Sequence, residues 1–216
     1  MDLVNKYIFK KLIKLKSISD INSDLEPILR KKFFFDKFYT DYKKILNDDE
    51  IDAVLILTSM NEHSMIAKQA LLNNKHVLVE KPMATKIDDL KGLLKVARSS
   101  SKFLIPAPFV TLSPTYQAIN SELKNKTIGK VSLARARYGW AGPNWGEWYY
   151  KTGGGPLFDL GVYNITSLTG LLGPVKSLFA KSSLSSKYRT INKRKIKANT
   201  NDNFQIMLEF KSGCIG

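Results

Sequence analysis

The stretch VLVEKPMAT, residues 77–85, ends an apolar run in Glu80, Lys81 and Pro82. Val77, Leu78 and Val79 suit a strand buried on both faces. An acid, a lysine and a proline at its end make either a surface turn or chemistry set at the rim of a sheet. As a surface turn, Glu80 and Lys81 would simply pair and cap the strand. A second pair stands in LFDLGVYN, where Asp159 and Tyr163 lie four residues apart. On a helix that spacing puts both on one face. A phenol beside an ammonium is drawn toward its anionic form and can then take or give a proton. Tyr163 could equally be a core aromatic beside Leu160 and Ile165. Asp159 has less to do in packing, because a buried acid needs a partner.

The elements that must position these residues alternate from about residue 13. LIKLKSISD (12–20) alternates apolar and polar residues as a half-buried strand ending at Asp20. Residues 23–32 predict a short helix with Ser23 as cap and Pro27 near its first turn. FFFDKFYTDYKKIL (33–46) predicts a short strand, then a helix capped by Thr40 or Asp41. DAVLILT (52–58) and HVLVE (76–80) flank a helix over 62–74, with Met65, Ile66, Gln69, Ala70 and Leu72 near helical spacing. A helix over 86–100 and a strand over 102–108 follow. Such an order gives an α/β, Rossmann-like parallel sheet covered by helices on both faces. Ligands bind beyond the carboxyl ends of its strands. Asp20, Thr58, Glu80, Lys81 and the 106–108 region all fall on that rim.

Beyond residue 130 the character changes. VSLARARYGW (131–140) predicts a longer strand, followed by the aromatic, glycine-rich loop AGPNWGEWYYKTGGGP (141–156) and a helix over 157–173. VKSLFAKSSLS (175–185) and DNFQIMLEF (202–210) alternate like antiparallel strands. The expected organisation is therefore a partial dinucleotide-binding domain, 1–108, and a partial α+β substrate domain, 109–216, with a mainly antiparallel sheet. The run Gly153-Gly154-Gly155-Pro156 lacks the Lys-Ser/Thr of a phosphate loop and predicts a tight turn into the helix. Trp140, Trp145, Trp148, Tyr149 and Tyr150 are dense for a loop, which suits either a ligand or packing between domains.

Composition bounds the rest. The 216 residues are 44% hydrophobic and 25% charged, average for a globular chain. One cysteine, Cys214, rules out an internal disulfide framework and a cysteine zinc cluster. No apolar segment approaches the ~18 residues of a spanning helix, and the expected place is the cytoplasm. The net charge of +15 would suit a polyanion. Its lysines are nevertheless spread along the whole chain, and the densest cluster, KYRTINKRKIK (187–197), carries no nucleic-acid motif. His76 has no paired ligand at metal spacing, so no metal is expected.

DAVLILTSMNEHSMIAKQALLNNKHVLVEKPMA (52–84) resembles the cofactor-domain core of the glucose–fructose oxidoreductase / inositol dehydrogenase / MocA (Gfo/Idh/MocA) family. GGGPLFDLGVYNITSLTGLLGPV (153–175) resembles the catalytic helix of that family's second domain. The resemblance implies an oxidoreductase using NAD or NADP on a sugar, cyclitol or related polyhydroxy substrate. It implies that Lys81 reaches between nicotinamide and substrate, where a fixed ammonium favours the charge that develops on an alcohol oxygen during hydride transfer. Asp159 and Tyr163 complete the implied catalytic set; many members carry histidine where this chain has Tyr163. Implied on the cofactor side are Thr58, Asn61, His63, Glu80, Lys81 and Pro82. Asp20 fits the acid that bonds the adenosine ribose, which favours NAD over NADP. Ser59 stands where the family usually has proline. Trp140, Trp148 and Gly155 would flank the substrate, and second-domain sheets in this family commonly pair face to face into homo-oligomers.

No G-x-G-x-x-G occurs in the chain. In a dinucleotide fold those glycines open the first helix so that N–H groups receive the pyrophosphate. MDLVNKYIFKKL reads as the tail of that helix, and EFKSGCIG ends within an ongoing sheet. A fragment or shortened product is the expectation, with poor dinucleotide binding and little turnover of its own. The competing readings are a non-catalytic sugar-sensing or interaction module on the same fold and, less favoured, a basic nucleic-acid-binding protein.

Overall fold

The computed structural model describes residues 12–216; the helix tail expected in MDLVNKYIFKKL, residues 1–12, lies outside the described residues but for its last residue. Strand β1 (Ser17–Ser19) pairs in parallel with β2 (Lys37–Tyr39). A 3-10 turn (Ser23–Leu25) and helix α1 (Glu26–Lys32) join them. The cap is Asn22 rather than Ser23: its Oδ1 accepts the Asp24 N–H at 3.0 Å, the local reach an N-cap needs. Before helix α2 (Lys43–Leu46), Asp41 rather than Thr40 supplies the oxygen, accepting the Lys43 N–H at 3.0 Å.

Strands β3 (Ala53–Ile56), β4 (His76–Val79) and β5 (Leu104–Pro106) form one parallel sheet in that order. Helix α3 (His63–Leu72) crosses from β3 to β4 and α4 (Ile87–Ser99) from β4 to β5. Period-2 alternation sorts the side chains: Ile56, Val77 and Val79 are buried against Ile66, Ala67, Ala70, Leu71 and Leu93. The opposite row, Leu55–Leu78–Ile105 in register, stays partly exposed, at 45% for Leu55 and 49% for Ile105. Helix α3 buries Ile66 and Ala70 of its expected apolar stripe but not the rest. Met65 and Leu72 face outward, while Ala67 and Ala70 are fully buried, because small residues let α4 approach closely.

Between the two halves stands a helix that the sequence expectations do not include. Helix α5 (Pro114–Lys124) opens on Pro114, with Ser113 Oγ accepting the Tyr116 N–H at 3.2 Å. The strand expected over 131–140 is absent. Leu133 makes only an isolated bridge to Ile215, and an extended segment with one bridge has no neighbour to complete a ladder. A 3-10 turn (Glu147–Tyr150) follows, then a π-helical turn (Leu157–Gly161) running into helix α6 (Val162–Leu172). Strands β6 (Val175–Ser183) and β9 (Asn203–Phe210) pair antiparallel over a small core of Leu208, Phe210 and Cys214.

Strands β7 (Tyr188–Ile191) and β8 (Arg194–Lys197) make a hairpin through Asn192 and Lys193, at φ 47° and 65°. Two left-handed residues are what a tight two-residue hairpin turn demands. Ile191 and Ala198 bury against Tyr149 and Tyr150, so the basic cluster foreseen at 187–197 backs the aromatic loop. Arg189 ties it down: its guanidinium reaches the Asp202 carboxylate and lies 5.5 Å from the Tyr150 ring. Burial pushes the Asp202 carboxyl up, but bonds from Ser185 and Arg189 outweigh this and hold it below the usual range. A lowered carboxyl stabilises the fold above its unfolded value, about 3.9, and loses that contribution as the pH falls through the folded one. Asp202→Asn should therefore cost about 1–3 kcal/mol at pH 7. In urea melts the wild-type and variant stabilities should converge as the pH is taken below 4.

Candidate active site

The rim of the β3–β4–β5 sheet meets the start of α6. β4 is held by its neighbours up to Glu80, whose N–H donates to Ile56 O at 3.0 Å. The Glu80 carboxylate then turns back to accept the Lys81 N–H at 2.9 Å. Glu80 thus caps its own turn and does not take the Lys81 ammonium. That ammonium crosses to the second half of the chain. Nζ donates to the Asp159 carbonyl at 2.6 Å and to its carboxylate Oδ1. With 13% and 21% of their side-chain surfaces exposed, Lys81 and Asp159 form a shielded pair. Shielding from water strengthens such a pair and makes it depend on geometry.

Tyr163 joins from one turn further on, with the Lys81 Nζ 5.3 Å from its ring centroid. An ammonium at that distance over an aromatic face is attracted by the ring's negative face. Lys81 therefore meets Asp159 and Tyr163, more than 70 residues further along the sequence, at one place. The π-helical turn carries Asp159, and such widened turns favour functional sites because they re-aim backbone groups that an α-helix would consume. The single regular helix expected over 157–173 becomes a π turn followed by α6. The ammonium is bound by two of the three Asp159 oxygens, the carbonyl and Oδ1 of the carboxylate. Held so, it lies fixed beside a phenol ring, an arrangement able to hold a substrate oxygen and pass a proton.

The glycine run behaves as the expected turn. A side chain at Gly153, at φ 88°, would strike the Asn61 amide, and one at Gly154 would strike the Trp148 carbonyl at 2.2 Å. Asn61 therefore lies against this turn, and it also accepts the Thr85 hydroxyl at 3.1 Å. Gly155, buried at φ 96°, packs on Thr200 and accepts the Asp159 N–H at 3.1 Å. Trp140 and Trp148, both about half exposed, lie edge-on to Tyr149 with centroids 6.1 and 5.8 Å apart.

The remaining rim residues stand apart from this contact. Asp20 closes β1, its carboxylate accepting the Asn22 N–H at 2.8 Å. Thr58 is exposed past β3 and Pro82 is buried. His63 is not on the surface of the rim: it is 1% exposed, with Nδ1 2.8 Å from Pro82 O and Nε2 2.9 Å from Thr58 O. His76 accepts the Phe103 N–H at 3.1 Å and stacks on its ring, a structural role. Among the described residues no group of three His, Cys, Asp or Glu could hold a metal ion. Among them, no helix is long and apolar enough to cross a membrane.

Tyr149, expected only as one of the aromatics of the loop, is a neighbour of the site. Its ring is 4% exposed at the centre of the aromatic loop. Burial, then the nearby Asp159 carboxylate, push its phenol up to about 12. The only signal in the sequence was the density of aromatics, which names a cluster and not the member facing the acid.

Comparisons with known proteins give the family and the fold. Residues 4–107 match the model of the oxidoreductase family with an NAD-binding Rossmann fold, and residues 116–216 match the GFO/IDH/MocA C-terminal domain. The chain belongs to the GFO/IDH/MocA oxidoreductase family. A myo-inositol 2-dehydrogenase of Thermotoga maritima is 25% identical over 203 residues, 94% of this chain and 59% of the relative. A trans-1,2-dihydrobenzene-1,2-diol dehydrogenase of Mus musculus is 30% identical over 149 residues, 68% of this chain and 44% of the relative. A solved levoglucosan dehydrogenase, in complex with NADH and L-sorbose, shares the fold with a TM-score of 0.82 at 22% identity, covering 93% of this chain and 56% of that one. The chain thus spans about half the length of the relatives it matches.

Tyr149 gives a direct check on the local field. A phenol raised on folding contributes stability below its unfolded value, near 10, and loses it as the pH climbs through the folded one. The protein should lose stability between pH 10 and about 12. Tyr149→Phe should remove part of that loss, and the ultraviolet phenolate titration should lose its highest step.

Proposed function

We propose that the protein is an NAD(P)-dependent dehydrogenase acting on the CH–OH group of a sugar, cyclitol or related polyhydroxy compound. The observation that carries this reading is the Lys81 ammonium held by Asp159 against the Tyr163 ring, at the carboxyl end of a parallel sheet. In this reading Lys81 steadies charge on the substrate oxygen as hydride leaves the carbon. Tyr163 takes or returns the hydroxyl proton, and Asp159 fixes the ammonium and orients a second hydroxyl. The nicotinamide cofactor, when bound, supplies the hydride acceptor. Thr58, Asn61, Glu80 and Pro82 line its side of the rim, with Asp20 at the adenosine ribose favouring NAD over NADP. Trp140, Trp148 and Gly155 flank the substrate. The division at residues 108 and 109 into a cofactor unit and a substrate unit belongs to the same proposal. So does pairing of two copies through the β6–β9 sheet, a reading supported by the exposure of Phe179 and Met207, which lie opposite each other in its register.

The matched relatives are named for oxidising a cyclitol and a diol, and the solved neighbour for binding NADH, which supports the reaction class. NAD reduction should be followed at high protein concentration with a panel of inositols, aldoses and anhydrosugars, because a chain without the G-x-G-x-x-G that receives the pyrophosphate is expected to turn over little. Lys81→Met should lower kcat/KM by about 10²–10³-fold. Tyr163→Phe should lower it by about 10²-fold, more at low pH or high according to the direction of proton transfer. Unchanged turnover in Lys81→Met would remove the lysine from the chemistry. Calorimetric titration should show NAD bound more tightly than NADP, with the preference lost in Asp20→Ala; an NADP preference in the wild type sinks that assignment.

A further inference from the structure

The β3–β4 ladder cannot continue past Glu80. Its last main-chain bond on this side is Glu80 N–H to Ile56 O, the Lys81 N–H is taken by Glu80 itself, and Pro82 has no N–H to give. The turn that carries the ammonium would then leave the sheet without a further tie to β3. His63 occupies that gap. It is the first residue of α3, is buried to 1%, and lays one ring nitrogen on each side of the break: Nδ1 at 2.8 Å from Pro82 O, Nε2 at 2.9 Å from Thr58 O.

We infer that His63 is a positioning residue, which fixes the Lys81 turn against the end of β3 and so sets where the ammonium meets Asp159. A ring this deeply buried is screened from a ligand lying over the rim, so its effect passes through the carbonyls on either side of it; both are acceptors, and a neutral imidazole donates its one N–H to one of them. The Pro82 contact matters most, because Pro82 is bonded to Lys81 and any shift of its carbonyl swings the lysine stem. The Thr58 contact sets the height of the rim itself. The imidazole also seats the first turn of α3, so helix, strand end and lysine turn share one anchor. This inference rests on the reading of the Lys81–Asp159 pair as the reaction centre, and its test is separable from that reading.

The readout is the reactivity of Lys81 toward trace acetic anhydride, measured by peptide mass spectrometry relative to Lys91, whose side chain is 73% exposed. An ammonium engaged by Asp159 is slow to react; one released is fast. Asp159→Asn gives the full release and calibrates the scale. His63→Phe, which keeps a flat ring without its nitrogens, should give half or more of that increase. An asparagine amide reaches where Nδ1 stood and a glutamine amide where Nε2 stood. His63→Asn should thus keep Lys81 close to wild type, while His63→Gln should resemble His63→Phe. A general loosening of the fold would not separate the two amides. Wild-type reactivity in a folded His63→Phe, with Asp159→Asn still raising it, overturns the positioning role and leaves the pair standing. No increase in Asp159→Asn overturns the pair and the inference together. Should His63→Phe fail to fold, the two amides decide: equal reactivity at Lys81 overturns the inference.

Discussion

One cation, shielded from water, joins the two halves of this chain. The Lys81 ammonium takes the carbonyl and one carboxylate oxygen of Asp159 and lies against the Tyr163 ring. A charge so placed is costly unless its partners hold their geometry, and much of the surrounding structure serves that end. The parallel sheet brings the lysine to its rim, the glycine turn drops the chain directly into the π-helical turn, and the hairpin holds the aromatic loop from behind. The same demand explains why the lysine turn is fastened twice, once by the Glu80 carboxylate and once through Pro82 to His63.

The first half of the fold was legible because its signals are local and redundant. Buried runs such as Val77–Val79 alternate with helices bounded by caps and small residues, and this order admits few topologies. The rim residues followed from the strand ends alone. Even there, the helix faces were less legible: Met65 and Leu72 look apolar enough for the core, yet Ala67 and Ala70 are the residues that helix–helix contact requires. Which apolar side of a helix is buried depends on the neighbour, and a single segment does not contain its neighbour.

The second half was harder to read for the same reason. Residues 131–140 have the composition of a strand, but a strand exists only with a partner, and there the backbone finds a single bridge at Leu133. The Asp159–Tyr163 spacing predicted a shared face, and the residues do share one. The π turn that carries the Asp159 carbonyl to Lys81 has no such periodic signature, because its partner lies 78 residues away in the sequence. His63 shows the limit from the other side. Its position at a helix start was plain, but its burial and its two carbonyl partners come from segments around 58 and 82.

The half-open row Leu55–Leu78–Ile105 bears on how the molecule behaves in solution. An aliphatic stripe facing water attracts its like, whereas a net charge of +15 drives copies apart. At low ionic strength repulsion acts over a Debye length of about 30 Å and dominates; near 1 M it shrinks to about 3 Å. Added salt therefore weakens the repulsion that opposes contact through this row, without any change in the folded state.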